Sequence, residues 1–216
     1  NDLLGANYWV DVDQFAERDF SGNADILQND INNPNRQVVV GDIFGYNYNI
    51  YVHKANLFAN ADFSYNKFDF YLAGSLSGTQ FYREGLMMNG RAPLNSYGLS
   101  AKNNFLNFGF KGGATYKLSG RHIFTLNSTY QTNAPLVRNA YLSPRIKDEL
   151  VDGLQSEKIF TVDFNYYLRF PNVSARFTAY NTMFWDQTDL NSFYHDDYRT
   201  YVNQVLVGVN KTHRGI

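Results

Sequence analysis

The sequence predicts an all-β protein with about seven long antiparallel strands, joined alternately by tight turns and long loops. Three observations predict this fold class. Apolar and polar residues alternate with a period of two along most of the chain, and the helical period of 3.6 residues is nearly absent. Aromatic residues, which favour strands, make up 17% of the chain, whereas charged residues make up only 18%.

The composition excludes several classes of function. The 216 residues include 19 basic and 20 acidic side chains, so the net charge of −1 gives no electrostatic reason to expect a nucleic-acid partner. The lack of cysteine excludes a disulfide scaffold, a cysteine zinc site and a thiol nucleophile. A mean hydropathy of −0.42, with no run of about 18 apolar residues, excludes a helical membrane protein.

The strands are identified by their alternating faces. In the segment 104–118, even positions such as Leu106, Phe108 and Phe110 are apolar, whereas odd positions such as Asn107 are polar. A strand with this pattern has one apolar face and one polar face. The same reasoning predicts seven strands, at 46–65, 68–83, 104–118, 122–133, 157–170, 173–186 and 199–211.

Three connections are tight enough to fix the pairing of their strands. They lie at 66–67, 119–121 and 171–172. A two-residue turn in the last of these hairpins pairs Phe170 with Val173 and Phe164 with Ala179. All but one of the outer pairs in this hairpin are apolar, which supports the predicted register.

The remaining connections are long and polar, and they alternate with the tight turns. They are predicted at 84–103, 134–156 and 187–198. We expect residues 1–45 to form another long region, resembling an extracellular loop, that leads into the first strand. Residues 46–216 are then the strands and loops of part of one larger barrel domain.

Alternating strands fit two architectures, a soluble β-sandwich and a transmembrane β-barrel. The predicted strands reach about 15 residues, whereas strands of soluble proteins usually have about 5 or 6. Short turns alternate with long loops, the polar faces are rich in Asn, Ser, Thr and Gly, and aromatic residues gather at strand ends. These features favour an antiparallel transmembrane β-barrel segment.

Seven strands do not close such a barrel by themselves. Bacterial single-chain barrels have an even number of strands, at least about eight. An open sheet in lipid would leave two edges of unpaired backbone groups, each costing several kcal/mol. We therefore expect the chain to be a piece of something larger.

Four stretches carry a resemblance to a known family. They are YWVDVDQFAERDF (8–20), the run from QNDINNPNR to GDIFGYNYNI (28–50), the block from SPRIKDELVDGLQSEKIF to NSFYHDD (143–197), and VGVNKTHRGI (207–216). On these stretches the chain resembles the barrel of a TonB-dependent outer-membrane receptor of the Bacteroidetes type. The similarity extends over essentially the whole chain.

The resemblance implies a barrel of about 22 strands with a plug inside it, in the outer membrane of a Gram-negative cell. It implies a transport protein, not an enzyme, without a cofactor. The expected partners are outer-membrane lipid, the TonB complex and plug domain through missing parts of the chain, and a surface lipoprotein. No plug and no TonB-contacting box is recognisable in this sequence, so energy coupling is assigned to no residue here.

Ligand contacts are expected in the long outer loops, where aromatic rings and arginines bind sugars, peptides or siderophores. The candidates are Trp9, Tyr82, Arg83, Arg91, Tyr97, Tyr141, Trp185, Tyr194 and His195. For each of them, packing within a loop is the alternative interpretation. The predicted register also gathers a lumen network on a polar face, consisting of Asp163, Tyr167, Arg169, Arg176 and Tyr180. We expect this network to brace the wall or to contact a plug.

Two acidic clusters are candidate cation sites. One combines the run 195–197 with Asp186 and Asp189, and the other consists of Asp11, Asp13, Glu17 and Asp19. Neither has the spacing of an EF-hand or an HExxH motif, so solvated acidic loops are the favoured interpretation and no metal is predicted. A nucleophilic triad is unsupported as well, since no GxSxG motif is present.

The leading functional hypothesis is uptake of a scarce nutrient across the outer membrane with energy from TonB. The nutrient would be an iron chelate, haem, cobalamin, a glycan or a peptide. Two other classes remain open at this point. One is a soluble β-sandwich that binds carbohydrate, and the other is a passive porin or a barrel-embedded enzyme.

Overall fold

The computed structural model describes residues 8–9, 24–34, 36–197 and 200–216. The chain divides into two compact units, and each unit is built from three separate stretches. We call the first the loop unit, which consists of 1–53, 80–103 and 140–152. We call the second the strand unit, which consists of 54–79, 104–139 and 153–216.

The described residues are overwhelmingly in β-strands. The strands are β1 (Tyr8–Trp9), β2 (Gln37–Val38), β3 (Tyr48–Tyr65), β4 (Phe68–Gly85), β5 (Gly98–Leu99), β6 (Asn103–Lys117), β7 (His122–Asn133), β8 (Glu157–Phe170), β9 (Val173–His195) and β10 (Thr200–Gly215). Among the described residues, helices are limited to one turn of α-helix, α1 (Ala24–Leu27), and a 3₁₀ turn at Val137–Asn139. In the part of the chain that the structure describes, no helix is both long and apolar enough to cross a membrane.

The long strands form one open antiparallel sheet in the order β10-β9-β8-β7-β6-β4-β3. The short strand β5 adds to the end of β4, and β1 pairs with β2 in a separate two-stranded sheet. The predicted all-β, antiparallel fold class with about seven long strands is therefore confirmed. The sheet does not close on itself, because β3 and β10 are its two edges.

The predicted hairpin registers are also confirmed. Across β8 and β9, Phe170 pairs with Val173 and Phe164 with Ala179. Across β6 and β7, the pairs follow the tight turn predicted at 119–121. These registers can be predicted from the sequence, because a connection of two or three residues leaves little freedom for the strands to slip.

The turn at 66–67 joins β3 and β4. Asn66 lies in the left-handed region with φ of 54°, a conformation that asparagine tolerates better than most residues and that tight hairpin turns require. The Phe63 and Phe70 rings stack 5.4 Å apart, and Ser64 Oγ donates to Asp69 Oδ1 at 2.8 Å. Both contacts fall on the register that the sequence predicts.

The prediction of a long loop at 187–198 is wrong. Strand β9 continues to His195 and β10 begins at Thr200, so a strand hairpin occupies most of that range. Irregularities hide the alternation there, because Asp186 has φ of 58° and the β9–β10 register shifts between Leu206 and Lys211. The predicted strict alternation of tight turns and long loops therefore fails at this connection.

The loop unit has a conventional apolar core. Its buried hydrophobic residues come from all three of its stretches, and they are Val38, Phe81, Met87, Ala92, Ala140, Tyr141 and Val151. Phe81 and Tyr141 are fully buried, and their rings meet edge to face with centroids 6.1 Å apart. The connections predicted as long polar loops at 84–103 and 134–156 thus contribute to a packed core.

The strand unit shows the opposite distribution. Its buried described residues are Asn107, Gly109, Thr132, Pro135 and Asn165. Apart from Pro135, no aliphatic or aromatic side chain is buried among its described residues. Large apolar side chains of this unit are instead exposed on one face of the sheet.

Candidate functional site

The apolar face of the strand unit is the most extensive feature of the molecule. Along β4 and from β6 to β9, many of the large apolar side chains that the alternation assigns to one face are between 43% and 73% exposed, and the others are half-buried. They include Phe68, Leu72, Leu76, Leu106, Phe110, Leu126, Phe164, Phe170, Val173 and Phe177. Large exposed apolar surfaces are typical of sites that contact a membrane or another protein.

The apolar face contains a groove. Small residues at Ala59, Ala61 and Gly74 lie between the larger side chains of Leu72 and Phe110. The groove holds about 400 Å³. Its lining is therefore mainly apolar, in keeping with the rest of this face.

Aromatic rings gather at the end of the sheet that carries the tight turns. The Phe68 and Tyr116 rings stack with centroids 4.8 Å apart, and those of Phe124 and Tyr166 stack at 4.9 Å. Tyr166 Oη also lies 2.7 Å from His122 Nδ1. An aromatic row with polar tips at one end of an apolar face is typical of a boundary between apolar and aqueous surroundings.

The opposite face of the strand unit carries a polar network centred on Asn165, which is 1% exposed. Its Oδ1 accepts from Arg176 Nη2 and from Thr178 Oγ1, both at 2.7 Å. Its Nδ2 donates to Asp163 Oδ1 at 2.6 Å and to Thr125 Oγ1 at 3.1 Å. Both atoms of the amide are thus satisfied, as a buried polar side chain requires.

The network extends further along β7 and reaches one more strand, β4. Asn127 Nδ2 donates to Asp163 Oδ1 at 2.9 Å, and Tyr71 Oη donates to Asn127 Oδ1 at 3.3 Å. The chain of contacts therefore runs from β4 through β7 and β8 to Arg176 on β9. A connected network of this kind ties neighbouring strands together on their polar face.

The residues predicted for the lumen network lie on β8 and β9 with the predicted pairing. Tyr167 pairs with Arg176, whose guanidinium lies 5.3 Å from the centre of the tyrosine ring, and Asp163 pairs with Tyr180. Arg169 and Tyr180 are exposed. Sequence reasoning missed Asn165 as the centre, although its predicted position opposite Thr178 was a usable signal.

Two predicted ligand contacts are buried in the loop unit. Arg83 is 2% exposed, and it donates from Nε to Pro144 O and from Nη1 to Ser96 O, both at 2.8 Å. Tyr141 is fully buried with its hydroxyl 3.3 Å from Ser100 Oγ. Burial lowers the pKa of Arg83 and raises the pKa of Tyr141. The prediction that these two side chains face a ligand is therefore wrong in this conformation, because both hold loops together.

The close packing around Arg83 requires a glycine. A Cβ atom on Gly85 would collide with the backbone oxygen of Ser96 and with Arg83 Nη1. The guanidinium also lies 5.2 Å from the centre of the Tyr48 ring. Arg83 therefore joins segments of the loop unit that are up to 61 residues apart in sequence, as its bond to Pro144 shows.

Tyr82 belongs to an aromatic cluster in the loop unit. Its ring stacks on Tyr51 at 5.0 Å and on His53 at 6.0 Å, and Lys102 Nζ lies 5.4 Å from its centre. Tyr51 Oη donates to Glu84 Oε2 at 2.7 Å. This bond lowers the pKa of Glu84 and raises the pKa of Tyr51, because it stabilises the charged carboxylate and the neutral phenol.

The remaining predicted ligand contacts are scattered. Arg91 and Tyr97 are exposed in the connection between β4 and β5. Trp185, Tyr194 and His195 lie within β9, so their predicted placement in an outer loop is wrong. The backbone of Trp9 lies in β1, and its side chain falls outside the described residues.

The described part of the chain contains no group of three or more His, Cys, Asp or Glu side chains arranged to hold a metal ion. This covers the cluster that includes the run 195–197. The other acidic cluster, between Asp11 and Asp19, lies outside the described residues.

Comparison with known proteins does not identify a family for this chain. No family model matches the chain, and no curated protein or solved structure matches it either. The functional argument therefore depends on the two faces of the strand unit and on the packed loops.

Proposed function

We propose that this chain forms part of the wall of a transmembrane β-barrel in the outer membrane of a Gram-negative cell, in a TonB-dependent receptor that takes up a scarce nutrient. One observation carries the proposal. In the strand unit, the large apolar side chains are exposed or half-buried and the most deeply buried described side chains are polar, with Asn165 1% exposed and Leu72 63% exposed. A lipid-facing wall requires this arrangement, whereas a soluble sandwich buries its apolar faces.

The length of the apolar face supports a bilayer as its surroundings. On β4, the apolar face extends from Phe68 to Gly78, which is ten residue steps. At about 3.3 Å per residue this is about 33 Å, and a tilt of about 40° reduces its height to about 25 Å. The apolar band of outer-membrane barrels is about 25 Å tall.

The open sheet supports a larger assembly. Among the described residues, β3 has a strand partner on one side only, and the same is true of β10. Unpaired backbone groups in hydrocarbon cost several kcal/mol each, so both edges need neighbours in a membrane. Further strands of the same barrel would supply them and close the wall.

The polar face supports a braced wall facing water. Asn165 and Arg176 are held in a network of hydrogen bonds that leaves the guanidinium with neutral partners. A positive side chain on this face is tolerated in an aqueous lumen and not in lipid. TonB-driven uptake is the part of the proposal that comes from the family resemblance alone.

Membrane insertion is tested on the full-length protein that contains this chain. We expect it in the outer-membrane fraction and resistant to extraction with alkaline carbonate, since a closed apolar wall holds it in lipid. A protein that carbonate releases in water-soluble, monodisperse form would contradict the proposal and favour the sandwich.

Energy coupling is tested in cells that produce the full-length protein. Uptake of radiolabelled ferric siderophore, haem, cobalamin, oligosaccharide and peptide is measured with and without a protonophore. We expect at least one of these to enter only while the proton-motive force is intact. Uptake that continues unchanged after its collapse would identify a passive porin.

A further inference from the structure

Basic side chains gather where the first two tight turns of the strand unit meet. The turn at 66–67 lies beside the turn at 119–121, because Lys117 N donates to Lys67 O at 2.7 Å and Lys67 Nζ donates to Leu118 O at 3.4 Å. The second turn itself contains Arg121. We call Lys67 and Arg121 the turn cations, and both are exposed.

The charge around the tight turns is positive, although the net charge of the whole chain is −1 with histidine counted as neutral. Within three residues of the turns at 66–67, 119–121 and 171–172, the charged residues are Lys67, Lys117, Arg121, Arg169 and Asp69. The net charge of these turns is therefore +3. Asp69 forms an ion pair with Lys117, and no carboxylate among the described residues pairs with either turn cation.

Arg121 reaches the apolar face of the strand unit. Its guanidinium carbon lies 5.4 Å from the centre of the Phe170 ring, which belongs to that face and is 43% exposed. The His122 ring meets the same phenylalanine edge to face, with centroids 6.3 Å apart. Val173, the cross-strand partner of Phe170, is exposed as well. Arg121 therefore lies at the border between the apolar face and the turn.

The turn cations have hydrogen-bond donors that the fold does not use. Arg121 donates to Ser119 Oγ through its backbone N–H, and no described residue accepts a hydrogen bond from its guanidinium. A guanidinium carries five N–H donors in a fork that matches the oxygens of a phosphate. The ammonium of Lys67 has three donors, and the Leu118 carbonyl accepts from one of them.

These surroundings suit a ligand with two unlike parts. The turn cations attract an anion that accepts several hydrogen bonds, and the exposed side chains of Phe170 and Val173 beside Arg121 suit hydrocarbon. A phospholipid combines a phosphate with acyl chains. In outer-membrane barrels the tight turns lie on the periplasmic side, so under the proposed function this cluster meets the headgroups of the periplasmic leaflet.

We propose that the turn cations bind the headgroup of an anionic phospholipid, with Arg121 and Lys67 on its phosphate and its acyl chains along the apolar face beside Phe170. This inference rests on the proposed function and names the lipid partner of the wall. Lysine and arginine near an anionic lipid surface each strengthen its attraction about fivefold, which corresponds to about 1 kcal/mol.

Arg169 separates a bound headgroup from a general attraction of charges. Its backbone N–H donates to Arg121 O at 2.9 Å, so the two residues are neighbours, and both side chains are exposed. Arg169 and Phe170 are consecutive in β8, however, so Arg169 lies on the polar face. A lipid on the apolar face should respond strongly to the loss of Arg121 and weakly to the loss of Arg169.

The test measures which lipid lies beside Phe170. A fluorophore is attached at Val173→Cys in the full-length protein, which is reconstituted into liposomes of equal parts phosphatidylglycerol and phosphatidylcholine. The acyl chains of one lipid or of the other carry bromine, which quenches the fluorophore on contact. The ratio of the two quenching efficiencies gives the local preference for the anionic headgroup. Leu126→Cys, on the same face and farther from the turns, is the control for position.

We expect phosphatidylglycerol to be preferred at least about tenfold at position 173 and not at position 126. Arg121→Gln and Lys67→Gln should each lower the preference about fivefold. Arg121→Lys keeps the charge and should keep most of the preference, whereas Arg169→Gln should change it less than about twofold. All of these side chains are exposed, so the substitutions should leave folding nearly unaffected.

Three results would overturn the inference while leaving the proposed function in place. The first is equal quenching by both brominated lipids at position 173. The second is an equal loss of preference from Arg121→Gln and Arg169→Gln, which would indicate a diffuse attraction. The third is displacement of phosphatidylglycerol by millimolar glycerol 3-phosphate, which would identify a site for soluble phosphate. A label at 173 that neither brominated lipid quenches contradicts the proposed function itself, so the two failures are distinguishable.

Discussion

The loop unit and the strand unit of this chain bury opposite kinds of side chain. In the loop unit, Phe81 and Tyr141 are fully buried, and the charged Arg83 among them is satisfied by two carbonyl groups. In the strand unit, Asn107 and Asn165 are the most deeply buried side chains. Burial in this chain of 216 residues is therefore mainly apolar in the loop unit and mainly polar in the strand unit.

The difference teaches that the two units are built for different surroundings. Each buried apolar Å² is worth about 25 cal/mol when water is the alternative, so a unit in water hides its apolar side chains. Burying an apolar side chain gains little when the alternative is contact with lipid hydrocarbon. Hydrogen bonding of polar side chains then determines which residues face the protein interior. Under the proposed function, the loop unit faces water and the strand unit faces lipid. Three pairs of substitutions and one pH measurement follow from this comparison, from the largest expected effect to the smallest.

The sharpest contrast is between two phenylalanines. Phe81→Ala should destabilise the loop unit by about 3–5 kcal/mol, because Phe81 is 0% exposed and its loss leaves a cavity. Phe110→Ala should change stability by less than about 1 kcal/mol in detergent, because Phe110 is 61% exposed on the apolar face. Denaturant unfolding of both variants checks this. Equal losses would break the comparison.

The next contrast is between two arginines. Arg83→Met should cost about 2–3 kcal/mol locally, since it leaves the Pro144 and Ser96 carbonyls buried without a donor. We expect faster amide hydrogen exchange in the segment 86–100. Arg176→Met is the control on the exposed side of the strand unit, and it should leave exchange in that segment unchanged. Unaltered exchange after Arg83→Met would show that the loops are held by other contacts.

A third pair tests the polar side of the strand unit. Asn165→Ala should destabilise it by about 1–3 kcal/mol, because the substitution leaves Asp163 and Arg176 without their shared amide. Leu126→Ala removes a larger apolar group that is 52% exposed, and it should cost less. Thermal unfolding in detergent gives the order. If Leu126→Ala proves the more costly of the two, the apolar face is buried after all.

The smallest effect concerns pH and lies in the loop unit. Hydrogen bonds from Tyr51 and Asn49 lower the pKa of Glu84, so the folded protein holds the carboxylate charged at lower pH than the unfolded chain does. The stability that these hydrogen bonds to Glu84 contribute is fully present above the ordinary glutamate pKa. It is lost as the pH falls through the lowered pKa of Glu84 in the folded protein. Thermal midpoints of wild type and Glu84→Gln between pH 7 and pH 3 should converge on acidification. A constant gap between the two would contradict this linkage.

Much of the sheet could be predicted, because a short turn fixes the pairing of the two strands that it joins. The alternation through 157–170 and the turn at 171–172 determine the pairing of β8 and β9, and every predicted pair of that hairpin is present. The position of Asn165 opposite Thr178 follows from the same register. Its role as the centre of a network depends on rotamers across three strands, which alternation does not encode.

The loops were not predictable for two physical reasons. The contact of Phe81 with Tyr141 joins distant segments without any sequence period, so nothing local indicates it. At 187–198 the strands carry polar residues on both faces, and the irregularity at Asp186 interrupts the alternation. Arginine side chains bind sugars, peptides or siderophores, and on that ground the sequence predicts Arg83 as a ligand contact. In the structure two carbonyl groups compensate its burial instead, which is rare for arginine.

The central claim is that the apolar face of the strand unit contacts lipid, and single cysteines test it directly because the chain has none of its own. A fluorophore is attached to Leu126→Cys or to Thr129→Cys in the full-length protein, reconstituted into liposomes. These two positions lie on opposite faces of β7. We expect acyl-chain nitroxides to quench the label at 126 and aqueous iodide to quench the label at 129. Quenching of the label at 126 by iodide and not by nitroxide lipid would contradict the account.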